Sequence, residues 1–266
     1  MTQTLPRRGG PGDIGRALVR WLVGWWRLIR LGALMLVLSL SPSSYSRANR
    51  HALARNIYLD TAPNLLWFAV LSALISLVLI RIVVVTAVSY GLTQYAFEMV
   101  VRVLVLELIP LTAAVFAAVR VTLSNGTEIA DLKARGAFET LRQQGVDPLQ
   151  REVLPRVASG VFCVLMLAAV SSVLALVLAY LHVYGFTLEG FATYTRDVGR
   201  VFDAPLTLIF ALKTFFLALA VALIPVASGL YDLPRRARTS AELQGLVRLF
   251  LVILLIEAVS LVGNYY

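Results

Sequence analysis

Five apolar runs, each about 20 residues or longer, occupy roughly 62–88, 95–119, 157–184, 204–230 and 244–263 of this 266-residue chain. A run of that length and composition reads as a membrane-spanning helix, because a bilayer core leaves no water to satisfy an open backbone. Only 15% of the chain is charged, where a soluble domain carries about 25%. The expected fold class is therefore an all-α integral membrane protein with five transmembrane helices.

Basic residues order these spans across the bilayer. Nine Arg precede residue 60. Six basic residues, Arg120, Lys133, Arg135, Arg142, Arg151 and Arg156, lie between spans two and three or at their ends. Four more, Arg235, Arg236, Arg238 and Arg248, surround the connection between spans four and five. One side thus holds nineteen, and the other holds only Arg196 and Arg200. Arg81, Arg102 and Lys213 fall within spans. By the positive-inside rule the N-terminus is expected in the cytoplasm and the C-terminus outside it. An odd number of spans preserves this asymmetry.

The stretch before span one reads differently. Residues 1–13 are rich in Pro, Gly and Arg and are expected to be disordered. Gly9-Gly10-Pro11 follows Arg7-Arg8 with no compact apolar region behind it, so a cleaved signal is not expected. In residues 14–40, Arg16, Arg20, Arg27 and Arg30 share one helical arc of about 80° at 100° per residue. Trp21, Trp25 and Trp26 lie off that arc with Leu and Val. A basic stripe opposite Trp and Leu suits a helix lying in the headgroup layer. The uncharged run Leu31–Leu40 is short for a span. The expected organisation is a tail at 1–13, an interfacial helix and linker at 14–60, and a five-helix membrane domain at 61–266.

Catalytic patterns are missing. No Lys follows a Gly, so no Walker A loop is present, and no HExxH or GxSxG motif occurs. One Cys and two His exclude a cysteine-rich zinc site. Neither a catalytic residue, a metal nor a cofactor is expected.

Charges inside spans are costly and point to function. At about 1.5 Å per residue, Glu107 sits about 18 Å into span two. Lys213 in span four and Glu257 in span five also approach the bilayer middle. A Lys between two carboxylates satisfies charges that lipid cannot. These three are expected in contact or around a polar cavity, as a structural ion pair or with a role in transport. Glu98 and Arg102, four apart, suit a local ion pair near the interface. Arg81 suits either a snorkel to headgroups or a phosphate contact in a lipid site. Residues 126–145, "GTEIADLKARGAFETLRQQG", read as one or two short polar helices, after which "VDP" turns the chain.

The segment "LELIPLTAAVFAAVRVTLSNGTEIADLKARGAFETLRQQGVDPLQREVLPRV" resembles the MlaE/YrbE permease family, membrane subunits of ABC transporters that work with MCE proteins. The family pattern runs near RELGP, then AGRxGSAxxAEIG, then a polar stretch closing on DPxxxxxxPR. The match runs without gaps from Glu107 through Arg120, Glu128 and Asp147 to Pro155-Arg156. Leu106, Ile109 and the run "VRVTLSNG" depart from it. Lys213 and Glu257 resemble a Lys and an acid in the family's last spans. The resemblance implies a homodimer, a cytoplasmic ABC ATPase dimer, a periplasmic MCE ring, a small STAS-type cytoplasmic subunit and phospholipid as cargo, with no nucleic acid. It implies a bacterial inner-membrane location. It makes the region 126–156 the ATPase-coupling element, with Glu128, Lys133, Arg135, Glu139, Arg142, Gly145, Asp147 and Pro148 as its contacts. It also implies a lipid path along Leu71, Ile75, Val78, Arg81 and Val85 of span one, with Glu98 and Arg102 of the outer half of span two. The alternative is an ion-gradient-driven transporter or channel built on Glu107, Lys213 and Glu257.

Overall fold

The computed structural model describes residues 11–41, 47–186, 189–231 and 238–265. All regular structure among them is helical. The tail 1–10, residues 42–46 of the linker and the basic pair Arg235-Arg236 lie outside the described residues. Helix α1 spans Pro11–Leu40 and α2 spans Arg47–Ser89, with Pro63 inside it. A tight turn at Gly91 leads into a nearly unbroken helical rod. The rod comprises α3 (Thr93–Val100), a π-helical stretch Val101–Leu108, α4 (Ile109–Ala117), a second π stretch Ala118–Thr122, and α5 (Leu123–Ala134). Short α6 (Ala137–Gln143) follows, then a π turn Leu149–Val153 and α7 (Leu154–Tyr184). The chain ends with α8 (Phe191–Val201), α9 (Ala204–Tyr231) and α10 (Arg238–Tyr265).

Six of these helical units are long and apolar enough to cross a membrane by length and composition. Five coincide with the runs read from sequence. The sixth is Trp21–Leu40 of α1. Its buried residues Leu31 and Met35, one turn apart, join the basic-end tier of the core with Ile129, Phe138 and Leu230, and Leu28 also packs on the middle tier. Arg27 lies 5.9 Å over the Tyr231 ring at the same end. These contacts brace α1 against the ends of its neighbours.

The core is stacked in three tiers along the bundle axis. The basic-end tier joins α1, α5, α6, α9 and the start of α7 through Ile129, Phe138, Val153 and Val226. The middle tier is small and dense, with Ala113, Ala114, Ala117 and Ala118 of the rod against Cys163, Leu167, Leu217 and Val221. The opposite tier gathers Ile80, Phe97, Val101, Leu104 and Ile109 with Ala175, Ala179 and Val201. Outside them, Leu66, Trp67, Leu254 and Val259 are well exposed. On a soluble monomer such a surface would be an aggregation liability; in a bilayer it is the lipid-facing wall.

Between helices in lipid there is no hydrophobic drive, so close approach through small residues must hold them. The α5–α9 seam does this at backbone level. A Cβ added to Gly229 would stand 2.1 Å from the Gly126 carbonyl oxygen, and one added to Gly126 would stand 2.6 Å from that of Pro225.

Helix α8 was not read from the sequence. It caps the opposite end through an aromatic cluster of Tyr180, Phe191 and Tyr194 with Phe97 and Tyr184. The Tyr194 hydroxyl donates to the Leu176 carbonyl at 3.1 Å. Burial pushes the Tyr194 phenol above its ordinary value, and Tyr184 beside it adds to the push.

Candidate functional site

Lys213, on α9, is 3% exposed. Its Nζ donates to Glu257 Oε1 of α10 at 2.8 Å and contacts Glu107 Oε2 of the rod. It also reaches the Leu106 carbonyl at 3.4 Å. In α register that carbonyl would take the N–H of residue 110, which Pro110 lacks. Asn264 Nδ2 donates to Glu107 Oε1 at 2.6 Å. Three helices therefore share one ammonium. Neither the Asn264 contact nor the Leu106 carbonyl was foreseen; the Pro three residues after a buried Glu was the available signal. Leu106 and Ile109, the departures from the family pattern, are both buried in the tier just beyond the cluster. They add apolar packing beside a charged centre. With only about an eighth of each carboxylate side chain exposed, the cluster is closed rather than a water-filled path.

The other departure also has a structural partner. Thr122 stands where the family motif has its second Gly. Gly160 of α7 faces it, and a Cβ there would meet the Thr122 methyl at 3.2 Å. Bulk gained on the rod is accommodated by a residue without a side chain. Three residues on, Asn125 Nδ2 donates to Asp60 Oδ2 at 3.1 Å, and the Ser159 hydroxyl donates to the same oxygen. This Asp60 knot ties α2, α5 and α7. It was missed because Asp60 precedes the expected span in what looked like linker.

The polar turn is rigidly built. Gly136 and Gly145 take positive φ, 76° and 74°, which a side chain would resist. Gly145 N–H donates to the Arg142 carbonyl and Val146 N–H to the Leu141 carbonyl, a Schellman closure of α6. Asp147 Oδ1 accepts the Leu149 N–H at 3.0 Å, and Pro148 is buried behind it. Phe138 anchors α6 in the basic-end tier. Lys133 Nζ caps the Leu230 carbonyl at the end of α9, 2.5 Å away. Arg156 joins Glu128 of α5, at 3.4 Å, to Glu152 ahead of α7, at 2.7 Å. Of the expected coupling residues, Glu128 and Lys133 thus bond within the chain. Arg135, Glu139, Arg142, Gly145 and Asp147 are exposed, with Glu139 and Arg142 paired at 3.0 Å. The region 126–145 is not one separate helix: its first part ends the rod and only α6 stands apart.

The third feature is an open, almost wholly apolar groove of about 470 Å³ between α2 and the rod. Leu71 and Ile75 line it, facing Leu104, Leu108 and Phe116. The groove runs along the basic-end half of span two, whereas the expected lipid path used the other half. Val78, Arg81 and Val85 are exposed and do not line it. Glu98 and Arg102 pair with each other at 3.0 Å, away from it. Among the described residues, no cluster of three or more His, Cys, Asp or Glu is placed to hold a metal ion.

No curated protein matches the chain. A family model described as "Permease MlaE" matches residues 53–262, from the start of α2 to near the end of α10.

Proposed function

The chain belongs to the MlaE permease family, and from that premise we propose that it is the membrane subunit of an ABC-type lipid transporter. It works as a homodimer in a bacterial inner membrane, with the N-terminus in the cytoplasm and the C-terminus in the periplasm. It moves phospholipid or a similar hydrophobic molecule between that membrane and a periplasmic MCE-domain ring. A separate cytoplasmic ATPase dimer, with a small STAS-type subunit, supplies the energy, and this chain performs no catalysis.

The observation that best supports the reading is the α6 turn. An element that receives a push from a motor must pass it on without bending. Here α6 is closed by a Schellman motif and plugged by Phe138, while α5, one short turn before it, is bolted to α9 through Lys133 and to α7 through Glu128 and Arg156. Its outer face still offers Arg135, Glu139, Arg142 and Asp147. Movement of the turn therefore reaches α5, α7 and α9 together. The closed Lys213 cluster favours this over an ion-driven carrier, since its ammonium is already held by two carboxylates.

The test is reconstitution. Purified with its ATPase and placed in liposomes, the chain is expected to move labelled phospholipid only when ATP is hydrolysed. Movement driven by a proton or sodium gradient without the ATPase would overturn the reading.

A further inference from the structure

We propose that the groove between α2 and the rod seats one acyl chain of a phosphate-bearing lipid, with Arg120 holding its phosphate at the basic end. This deepens the lipid-permease reading and rests on it: it names the leaflet from which cargo is taken and the group that recognises it.

The groove borders the rod from Leu104 to Arg120, about 24 Å at 1.5 Å per residue. That exceeds the roughly 15 Å of hydrocarbon in one leaflet. At about 470 Å³ it falls in the size range of ligand pockets. Its walls present apolar surface. Of the hydroxyl side chains in them, Thr112 turns its own to the Leu108 and Ile109 carbonyls of its helix, and Ser72 and Ser76 of α2 are buried. An occupant of the groove proper is therefore a hydrocarbon.

The charge sits only at one mouth. Arg120 lines the groove, is exposed, and makes no ion pair or hydrogen bond among the described residues. Lys133 and Arg156 at this end are already engaged, Lys133 capping α9 and Arg156 holding two carboxylates, and Arg120 is the cation that lines the groove. A guanidinium free to make two parallel hydrogen bonds, placed where an apolar trough meets the headgroup layer, is a phosphate receptor. A neutral lipid would fill the trough and leave the guanidinium unused. By the charge asymmetry of the loops this mouth opens on the cytoplasmic leaflet, so lipid is gathered from there.

Native mass spectrometry in mild detergent tests this with phosphatidylglycerol and diacylglycerol of the same chains as probes. The wild-type chain is expected to retain phosphatidylglycerol at least tenfold better than diacylglycerol. Arg120→Gln removes that preference and Arg120→Lys keeps part of it. Ile75→Trp, which fills the trough from a half-exposed position, releases both lipids. Equal retention of both lipids by the wild-type chain, or an unchanged preference in Arg120→Gln, overturns the proposal. So does an Ile75→Trp chain that loses its dimer but keeps its lipid, since the groove would then be a contact between copies. ATP-driven transfer measured alongside separates the two claims. Transfer unaffected by either variant sinks the groove and leaves the permease standing. Arg120-dependent lipid retention with no ATP-driven transfer supports the groove and sinks the permease.

Discussion

Lys213→Ala is expected to destabilise the folded chain by about 3–5 kcal/mol, the usual consequence of removing one partner from a buried ion pair. The substitution leaves Glu107 and Glu257 on adjoining helices, mostly shielded from solvent and without their shared ammonium. It also strips the Leu106 carbonyl of its donor. Midpoints of thermal unfolding in detergent, followed by size-exclusion chromatography, read the loss directly. The charge logic gives a second outcome. Adding Glu107→Gln and Glu257→Gln to Lys213→Ala removes the stranded charges and is expected to recover much of the loss. A single mutant as stable as wild type would show that the three groups are not held in contact.

The second large effect falls on the α5–α9 seam. Gly229→Ala puts a methyl group 2.1 Å from a backbone carbonyl oxygen, a contact no rotamer can relieve. Overpacking commonly costs about 1–3 kcal/mol, and here two helix backbones must part, so about 3 kcal/mol or more is expected. Gly199→Ala is the control. Gly199 lies in α8 with nothing within 4 Å of the added carbon. There the same change is expected to be neutral or to stabilise by about 0.5–1 kcal/mol through helix propensity. Detergent-solubilised yield and unfolding midpoint for the pair report both signs. Equal behaviour of the two variants would mean that α5 and α9 are not in backbone contact.

The parts legible in the sequence follow from what each signal physically encodes. Apolar length declares a span, so the helices α2, α7, α9 and α10 and the rod were readable. Periodicity and length cannot declare a π turn. Val101–Leu108 and Ala118–Thr122 therefore passed as ordinary helix, although the first sets the face on which Glu107 and Leu106 present to Lys213. Single buried charges stand out against a run of Leu and Val, which is why Glu107, Lys213 and Glu257 could be singled out. Asp60 did not stand out, because it sits among polar residues before the run, yet α2 continues helically back to Arg47 and carries it into the bundle. Helix α8 has too few residues and too many polar ones to register as an element. The groove is a property of two facing surfaces, and neither surface is visible in one strand of sequence.

A transport role coupled to an ATPase requires the α6 turn to face the cytoplasm and to be covered by that partner. Gln143→Cys places a thiol on the exposed end of α6, while the native Cys163 is buried and silent. A membrane-impermeant maleimide is expected to label this variant in inside-out vesicles and not in intact spheroplasts. Bound ATPase subunit is expected to block that labelling. Labelling from the periplasmic side, or from the cytoplasmic side with no protection by the ATPase, would contradict that role.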